Sequence, residues 1–181
     1  HVDNITAKAT KTLNLLRRNL KHCSPSVKQQ AYSTLVRPKL EYASTVWDPC
    51  YKNKIWDIEM VQRRAVRWVC NDYTRGENSV TEMQNQLGWP TLDHRRYISR
   101  LVVYYKIMNG LVAIPVPTYF IPTVRITRQG SKFVKPRSSS TSCMNSFFPQ
   151  TITDWNLLPP GIRSAETLES FKSKLSTLHQ N

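Results

Sequence analysis

The sequence predicts a mainly α-helical fold: a helical bundle, then an irregular basic appendage with short helices and a candidate strand at 133–135. Three observations support this prediction. Apolar residues recur every three or four positions through several long segments, which is the spacing of a buried helix face. Ser-Pro and Ser-x-x-Glu signals precede two of these segments, as they do at helix N-termini. Prolines after Gly110 then interrupt the helical spacing.

Two helices are predicted before Asp48-Pro49. The first runs from about Asp3 to Leu20 and carries a single apolar stripe. The second begins at Pro25, since Ser24 is a good N-cap and proline is favoured at the first helical position. Its predicted inward residues are Val27, Ala31 and Leu35. The apolar spacing continues beyond Pro38, so we expect a kink there and not an end.

The segment from Ile58 to Val69 is predicted to be the central helix of the bundle. Its inward stripe consists of Ile58, Val61, Ala65, Trp68 and Val69. Each residue advances the helix by ~100°, so Arg63, Arg64 and Arg67 gather on the opposite side. Guanidinium groups keep their charge and present planar donor forks that match phosphate. A merely solvated helix face is the alternative, and a pair between Glu59 and Arg63 would favour it.

A short helix and a long one complete the predicted bundle. Ser79 and Glu82 have the spacing of a capping box, in which each side chain accepts from the other's backbone amide. The long helix runs from Leu92 to Asn109, and Gly110 stops it. Its predicted inward residues are Ile98, Leu101, Val102, Tyr105 and Met108, whereas Arg95, Arg96 and Arg100 are predicted to lie on another side.

Composition divides the chain into three regions. Residues 1–110 form the predicted bundle, residues 111–146 a Pro/Ser-rich basic linker, and residues 147–181 a C-terminal helical appendage. The stretch 125–137 contains five basic residues and no acidic one. Little apolar area is present there to offset the entropy of ordering, so 123–144 is predicted to be the least ordered segment.

The charge balance points to a polyanionic partner. The formal net charge is +14 and the isoelectric point is about 9.9, which favours nucleic acid or an anionic membrane surface. No apolar run approaches the ~20 residues of a membrane-spanning helix, and the N-terminus has no signal-peptide core. We therefore expect an intracellular protein, nuclear or cytoplasmic, with RNA or DNA as partner and no membrane.

The residues that carry catalysis and metal binding in other proteins are scattered here. Polymerases and nucleases need grouped carboxylates for Mg²⁺, and the sequence contains neither an Asp-Asp pair nor Asp-x-Asp. The four cysteines lie far apart, without zinc-ligand spacing. Glycine-rich phosphate loops and nucleophile motifs are also missing from the sequence. We expect reduced cysteines, no cofactor, and no catalysis by this chain alone.

Cationic residues on the predicted helices and in the linker are the candidate nucleic-acid contacts. They would hold a phosphate backbone without reading sequence. The full set is Lys8, Lys11, Arg18, Arg63, Arg64, Arg67, Arg95, Arg96, Arg100, Arg125, Arg128, Lys132, Lys135 and Arg137.

Several segments together resemble a known family. The stretches Val36–Pro49 and Glu59–Arg67 resemble the region downstream of the polymerase core in non-LTR retrotransposon reverse transcriptases of the jockey-like group. The opening residues, His1–Ile5 and Leu15–Leu20, are similar to that family's entry into the thumb. Further similar segments are Pro136-Arg137, Phe147-Phe148, Asp154–Pro159 and Leu168–Leu175.

The resemblance implies a thumb-like bundle that grips a primer–template duplex, with a basic tail that contacts RNA or target DNA. It implies a parent RNA-directed DNA polymerase whose fingers and palm carry the Mg²⁺-binding aspartates upstream of His1, so no catalytic residue transfers to this sequence. The terminal Cys/His zinc knuckle of some related elements has no counterpart here. The alternative from the residues alone is a non-catalytic helical module for protein interaction or structure, the relic of a mobile element.

Overall fold

The computed structural model describes residues 1–74, 79–114, 132–135 and 140–178. Within these residues the protein is mainly helical, which confirms the predicted fold class. The chain divides into two compact units, His1–Arg96 and Tyr97–Asn181. The sequence predicts that the first domain ends at Gly110. The division falls inside the long helix instead, because the residues from Leu101 onward pack with apolar side chains of the C-terminal segment.

Unit 1 is built from short and long helices around one apolar core. The long helices are α1 (Val2–Asn19) and α5 (Lys52–Cys70), and they pack directly on each other. Along the chain, α1 and α5 are separated by four short elements, which are α2 (Pro25–Ala31), a π-helical turn (Tyr32–Val36), α3 (Arg37–Glu41) and α4 (Ser44–Trp47). After α5 come α6 (Val80–Gln86) and the first turn of α7 (Leu92–Met108). The predicted N-cap at Ser24 and the capping box of Ser79 and Glu82 are both present.

The stripes predicted for α1 and α5 are confirmed. Ala9, Leu13 and Leu16 are buried on α1. All five predicted inward residues of α5 are buried as well, namely Ile58, Val61, Ala65, Trp68 and Val69. Gln62 is buried among them: it accepts a hydrogen bond from the Tyr32 hydroxyl at 2.9 Å and donates to the Pro90 carbonyl oxygen at 2.9 Å. These two hydrogen bonds connect α5 with the π-helical turn at Tyr32 and with the segment before α7. They also satisfy the buried amide, which would be costly if it were unpaired.

The prediction for the helix around Pro38 is wrong in two respects. Val27 and Leu35 are exposed, and the buried residues are Lys28, Tyr32, Val36 and Leu40. The π-helical turn changes the register, since the Arg37 amide donates to the Tyr32 carbonyl oxygen five residues earlier. The helix also stops before Trp47 instead of continuing through a kink. Ala43 has a left-handed backbone, with φ of 51°, and separates α3 from α4.

Unit 2 has its own core. It contains α7 from Tyr97 onward, α8 (Thr141–Met144), α9 (Phe147–Leu157), α10 (Pro160–Arg163) and α11 (Leu168–Thr177). Tyr104, Trp155 and Phe171 meet in this core. The ring centroid of Trp155 lies 4.9 Å from that of Tyr104 and 5.5 Å from that of Phe171. The Tyr105 hydroxyl donates to the Ala165 carbonyl oxygen at 2.9 Å.

The predicted linker is described only in part. Phe133 is an isolated bridge position among the described residues, and its backbone amide and carbonyl pair with the Asn156 side chain. The end of the serine-rich stretch, predicted to be a loop, belongs to a helix: Ser140 caps α8 by accepting from the Cys143 amide. The rest of the segment 123–144 that was predicted to be least ordered lies mostly outside the described residues.

Candidate nucleic-acid interface

The cationic side of α1 carries three of the predicted contacts. Lys8, Lys11 and Arg18 are all exposed. Lys11 borders two neighbouring hollows. The smaller hollow, of about 560 Å³, is lined by Lys8, by Lys39 and by residues of the start of α1. Lys39 is fixed there, because its ammonium group donates to the Thr12 hydroxyl at 2.7 Å.

The larger hollow is the basic cleft, of about 700 Å³, between α1, α2 and the end of α5. Among the described residues, its lining combines five cationic side chains with two amides and two aromatic rings, without a carboxylate. The lining residues are Lys11, Asn14, Arg17, Arg18, Lys21, Lys28, Trp68, Asn71 and Tyr73. Such a wall offers hydrogen-bond donors and positive charge, which suits an anion.

The turn after α5 forms one wall of the basic cleft. Asn71 ends the helix in a left-handed conformation, with φ of 53°, a geometry that asparagine tolerates better than most residues. Asp72 then holds the turn closed by accepting from the Thr74 amide at 2.9 Å and from its hydroxyl at 2.6 Å. Tyr73 is thereby presented to α1, where the Arg17 guanidinium lies 5.7 Å from its ring centroid.

Lys28 and Trp68 form the buried side of the basic cleft. Lys28 is 5% exposed and Trp68 is 3% exposed. The Lys28 ammonium lies 6.0 Å from the centre of the Trp68 ring. Within the described residues, Lys28 has no carboxylate partner and the buried Trp68 Nε1–H has no acceptor. A buried cation without a counter-charge is unfavourable, and an anion in the cleft would relieve this cost.

The three arginines of α5 lie where the sequence predicted, opposite the core stripe. Arg64 is exposed, whereas Arg63 and Arg67 are partly buried. The Arg63 guanidinium lies 5.6 Å from the ring centroid of the exposed Trp56, and Arg67 donates to the Thr74 carbonyl oxygen at 3.1 Å. Both contacts orient a guanidinium group without neutralising it.

Glu59 does not pair with Arg63, although the sequence left that pair open. Its carboxylate instead accepts from the Asp93 amide at 2.7 Å, at the start of α7. Burial raises the pKa of Glu59, and the hydrogen bond from Asp93 opposes that shift. The alternative of a neutralised, solvated helix face therefore loses the ion pair that would have favoured it.

The described acids of unit 1 do not pair with the α1 and α5 cations that were predicted to bind nucleic acid; Asp72, in one wall of the basic cleft, accepts hydrogen bonds from Thr74 within its own turn. Among the described residues, each one accepts a hydrogen bond or forms an ion pair with a group outside the basic cleft. These acids are Asp3, Glu41, Asp48, Asp57, Glu59, Asp72, Glu82 and Asp93. The cations Lys8, Lys11, Arg18, Arg63, Arg64 and Arg67 thus keep their charge uncompensated by carboxylates in the described part of the chain.

The three arginines of α7, predicted to lie on a side of the helix away from its apolar stripe and to bind nucleic acid, are all engaged with carboxylates. Arg96 and Arg100 are 1% and 4% exposed. Arg96 pairs with Asp48 at 2.8 Å and with Asp93 at 3.1 Å. Arg100 pairs with Asp154 at 2.5 Å, and Arg95 forms a forked pair with Glu41. Guanidinium groups that are already engaged by carboxylates in this way are poorly placed for phosphate.

The remaining predicted contacts belong to the appendage. Lys132 is half-buried and Lys135 is exposed. Arg125, Arg128 and Arg137 lie outside the described residues.

Sequence analysis missed several residues of the basic cleft. Lys28 was passed over because the helix was assigned a different inward face. The spacing of Lys28, Tyr32, Val36 and Leu40, four residues apart each time, was the available signal. Arg17 and Lys21 were visible as part of a cationic α1, but only the fold brings Tyr73 and Trp68 to them.

The described residues contain neither a cluster of metal ligands nor a membrane-spanning helix. Within the described ranges, no three His, Cys, Asp or Glu side chains gather as metal ligands. All four cysteines are free thiols. No helix in the described part of the chain combines the length and apolar content needed to cross a bilayer. Comparisons with protein-family models, with curated proteins and with solved structures gave no match for this chain.

Proposed function

We propose that this chain is the nucleic-acid-binding, thumb-like C-terminal part of a non-LTR retrotransposon RNA-directed DNA polymerase. It would grip the primer–template duplex or template RNA by its phosphates, without reading sequence. Its partners would be RNA, DNA and the upstream palm and fingers of the same parent chain. The Mg²⁺ of the reaction would belong to that palm.

One observation carries the nucleic-acid part of this proposal. Cationic side chains on α1 and α5 face outward without carboxylate partners, while the described acids of unit 1 are engaged elsewhere. Phosphate contacts from such side chains release counterions and hold either strand of any sequence. The assignment to a retrotransposon polymerase rests on the sequence resemblance alone.

The test is a salt series with labelled DNA duplex, RNA–DNA hybrid and single-stranded RNA, each in two unrelated sequences. Affinity should be equal for the two sequences at a given salt concentration and should fall linearly on a log–log plot against salt. Polyglutamate of matched charge is the control competitor. Absence of binding at low salt, or a strong preference for one sequence, contradicts the proposal.

A second candidate function has one supporting observation. Val46 in α4, and Tyr42 and Tyr51 on either side of that helix, are largely exposed. Exposed apolar side chains of this kind occur at protein interfaces, so a helical protein-interaction module remains the alternative. Replacement of Tyr42 and Val46 by Ser should leave nucleic-acid binding unchanged if the first proposal is correct. Loss of self-association or of a defined partner in that variant, together with no nucleic-acid binding in the parent chain, favours the alternative.

A further inference from the structure

We infer that the basic cleft is a binding site for a terminal phosphate, the phosphomonoester at the end of a nucleic-acid strand. This inference rests on the proposed function and deepens it, because it assigns the terminal phosphate of a strand to the basic cleft. The cationic faces of α1 and α5 would hold internal phosphates, whereas the basic cleft would receive the end of the strand.

The charge of the basic cleft is the first argument. Five cationic side chains line one hollow of about 700 Å³, and the residues of its lining that the structure describes include no carboxylate. A phosphomonoester carries about −1.5 to −2 charges at neutral pH, and it offers three strong acceptor oxygens. An internal phosphodiester carries a single charge. A concentrated group of donors is therefore better matched by the terminal group.

The depth of the donors is the second argument. Lys28 is 5% exposed as a whole residue, lines the basic cleft, and forms no ion pair with a carboxylate in the described part of the chain. Trp68, 3% exposed, lines the same side. An internal phosphate continues into the chain on both sides and is held at the surface, whereas a terminal phosphate can enter a hollow. Lys28 would then gain the counter-charge that its burial calls for.

The rim of the basic cleft supplies the third argument. Arg17 is held over the Tyr73 ring at 5.7 Å, and that ring is half-exposed. Lys11 and Arg18 stand along the same helix, and Lys21 lies in the turn that follows it. A phosphate at Lys28 would leave the adjoining nucleotide next to Tyr73, where an exposed aromatic face can stack on a base of any sequence.

The experiment measures binding of the whole chain to short single-stranded oligonucleotides that carry a phosphate at the 5′ end, at the 3′ end, or at neither. An unphosphorylated strand longer by two nucleotides matches the added charge. One of the phosphorylated strands should bind at least about tenfold more tightly than that matched strand, because a charge-assisted hydrogen bond is worth about one decade or more.

Lys28→Met should abolish that preference while it retains the apolar stem that packs beside Trp68. Lys52→Gln removes the same charge from an exposed position outside the basic cleft, so it should preserve the preference. The thermal midpoint of ligand-free Lys28→Met should not fall, which shows that the variant is folded. A Lys28→Met protein that keeps the full preference overturns the inference.

The outcomes separate the two proposals. Equal binding of phosphorylated and charge-matched strands, with normal salt dependence, overturns the terminal-phosphate site and leaves the proposed function standing. No binding of any strand at low salt overturns both. Competition by a nucleoside 5′-monophosphate at the concentration at which the phosphorylated strand competes would assign the basic cleft to free nucleotides and overturn the assignment to a strand end.

Discussion

The ammonium group of Lys28 lies 6.0 Å from the centre of the Trp68 ring, and both side chains are almost fully buried. A cation over an aromatic face is stabilised by about 0.5–2 kcal/mol, more when it is desolvated. This is less than the penalty of burying an ion, which amounts to several kcal/mol. The contact with the Trp68 ring therefore does not replace a counter-charge, and an anion in the basic cleft would supply one.

The arginines of α5 should set the salt dependence of nucleic-acid binding. Replacing Arg63, Arg64 and Arg67 by Gln should flatten the log–log slope by up to about 2.7, since each phosphate contact contributes about −0.9 on B-form DNA. The matched control replaces Lys52, Lys106 and Lys172 by Gln, which removes the same charge elsewhere. Fluorescence anisotropy across a salt series measures the salt slope of each triple variant. Equal slopes in the two triple variants would contradict the assignment of this face.

Trp68 should matter for stability before it matters for binding. Trp68→Ala removes a buried ring from the core of unit 1 and should cost ~3–5 kcal/mol of unfolding free energy. Trp68→Phe should cost clearly less, because it retains most of the apolar ring and removes an indole N–H that lacks an acceptor in the described residues. Urea denaturation of the two variants gives the comparison. Similar losses in both would mean that the N–H is satisfied in solution.

The two acids that pair with Arg96 should differ in importance. Asp48 is largely buried, with 10% of its side chain exposed, whereas 57% of the Asp93 side chain is exposed. Asp48→Asn leaves a buried guanidinium without its main counter-charge and should destabilise unit 1 by ~3–5 kcal/mol. Asp93→Asn removes a solvent-exposed pair and should cost ~1 kcal/mol or less. Chemical denaturation of each single variant tests this ranking, and equal effects would reject it.

Glu59 should make unit 1 less stable as the pH rises. Burial raises its pKa in the folded protein above its ordinary value of 4.5. Between that value and the raised folded-state pKa, the native state binds more protons than the unfolded state. The unfolding free energy therefore falls as pH rises through this window. Glu59→Gln retains the oxygen that accepts from the Asp93 amide but does not ionise. The unfolding free energy of the variant should therefore rise relative to that of wild type as the pH increases through the window, and the difference should then stay constant.

Urea midpoints of wild type and Glu59→Gln, measured at a series of pH values, provide the test. Glu169→Gln, on the exposed side of α11, removes the same charge and serves as the control. A difference between wild type and Glu59→Gln that stays constant with pH would show that Glu59 ionises in the folded protein as it does in a free chain.

The amphipathic parts of the fold were predictable because their signals are local. The five inward residues of α5 repeat at helical spacing, and the caps at Ser24 and Ser79 need only the next three residues. The opposite side of α5, with Arg63, Arg64 and Arg67, follows from the same geometry. This half of the candidate interface could therefore be located from the sequence alone.

The ion pairs of α7 and the basic cleft could not be predicted from the sequence in this way, because they depend on residues distant in sequence. Glu41, Asp48 and Asp154, which bind the arginines of α7, lie 48 to 54 residues away, and among the described ion pairs of this helix only Asp93–Arg96 has a local spacing. The basic cleft likewise requires α1, α2 and the turn after α5 to come together. The place of Lys28 on the inward face follows from a four-residue spacing through the π-helical turn, which differs from the regular helical spacing used for the prediction.

That π-helical turn also governs how the helix from Pro25 to Glu41 is wound. Four residues of an α-helix advance about 400°, so side chains four apart overshoot by about 40° at each step and by about 120° over three steps. The underwound turn at 32–36 cancels part of this drift and keeps Lys28, Tyr32, Val36 and Leu40 in one line. A single-residue deletion inside the turn should thus be absorbed by regular winding, whereas the same deletion just after Pro38 would rotate Leu40 out of the core.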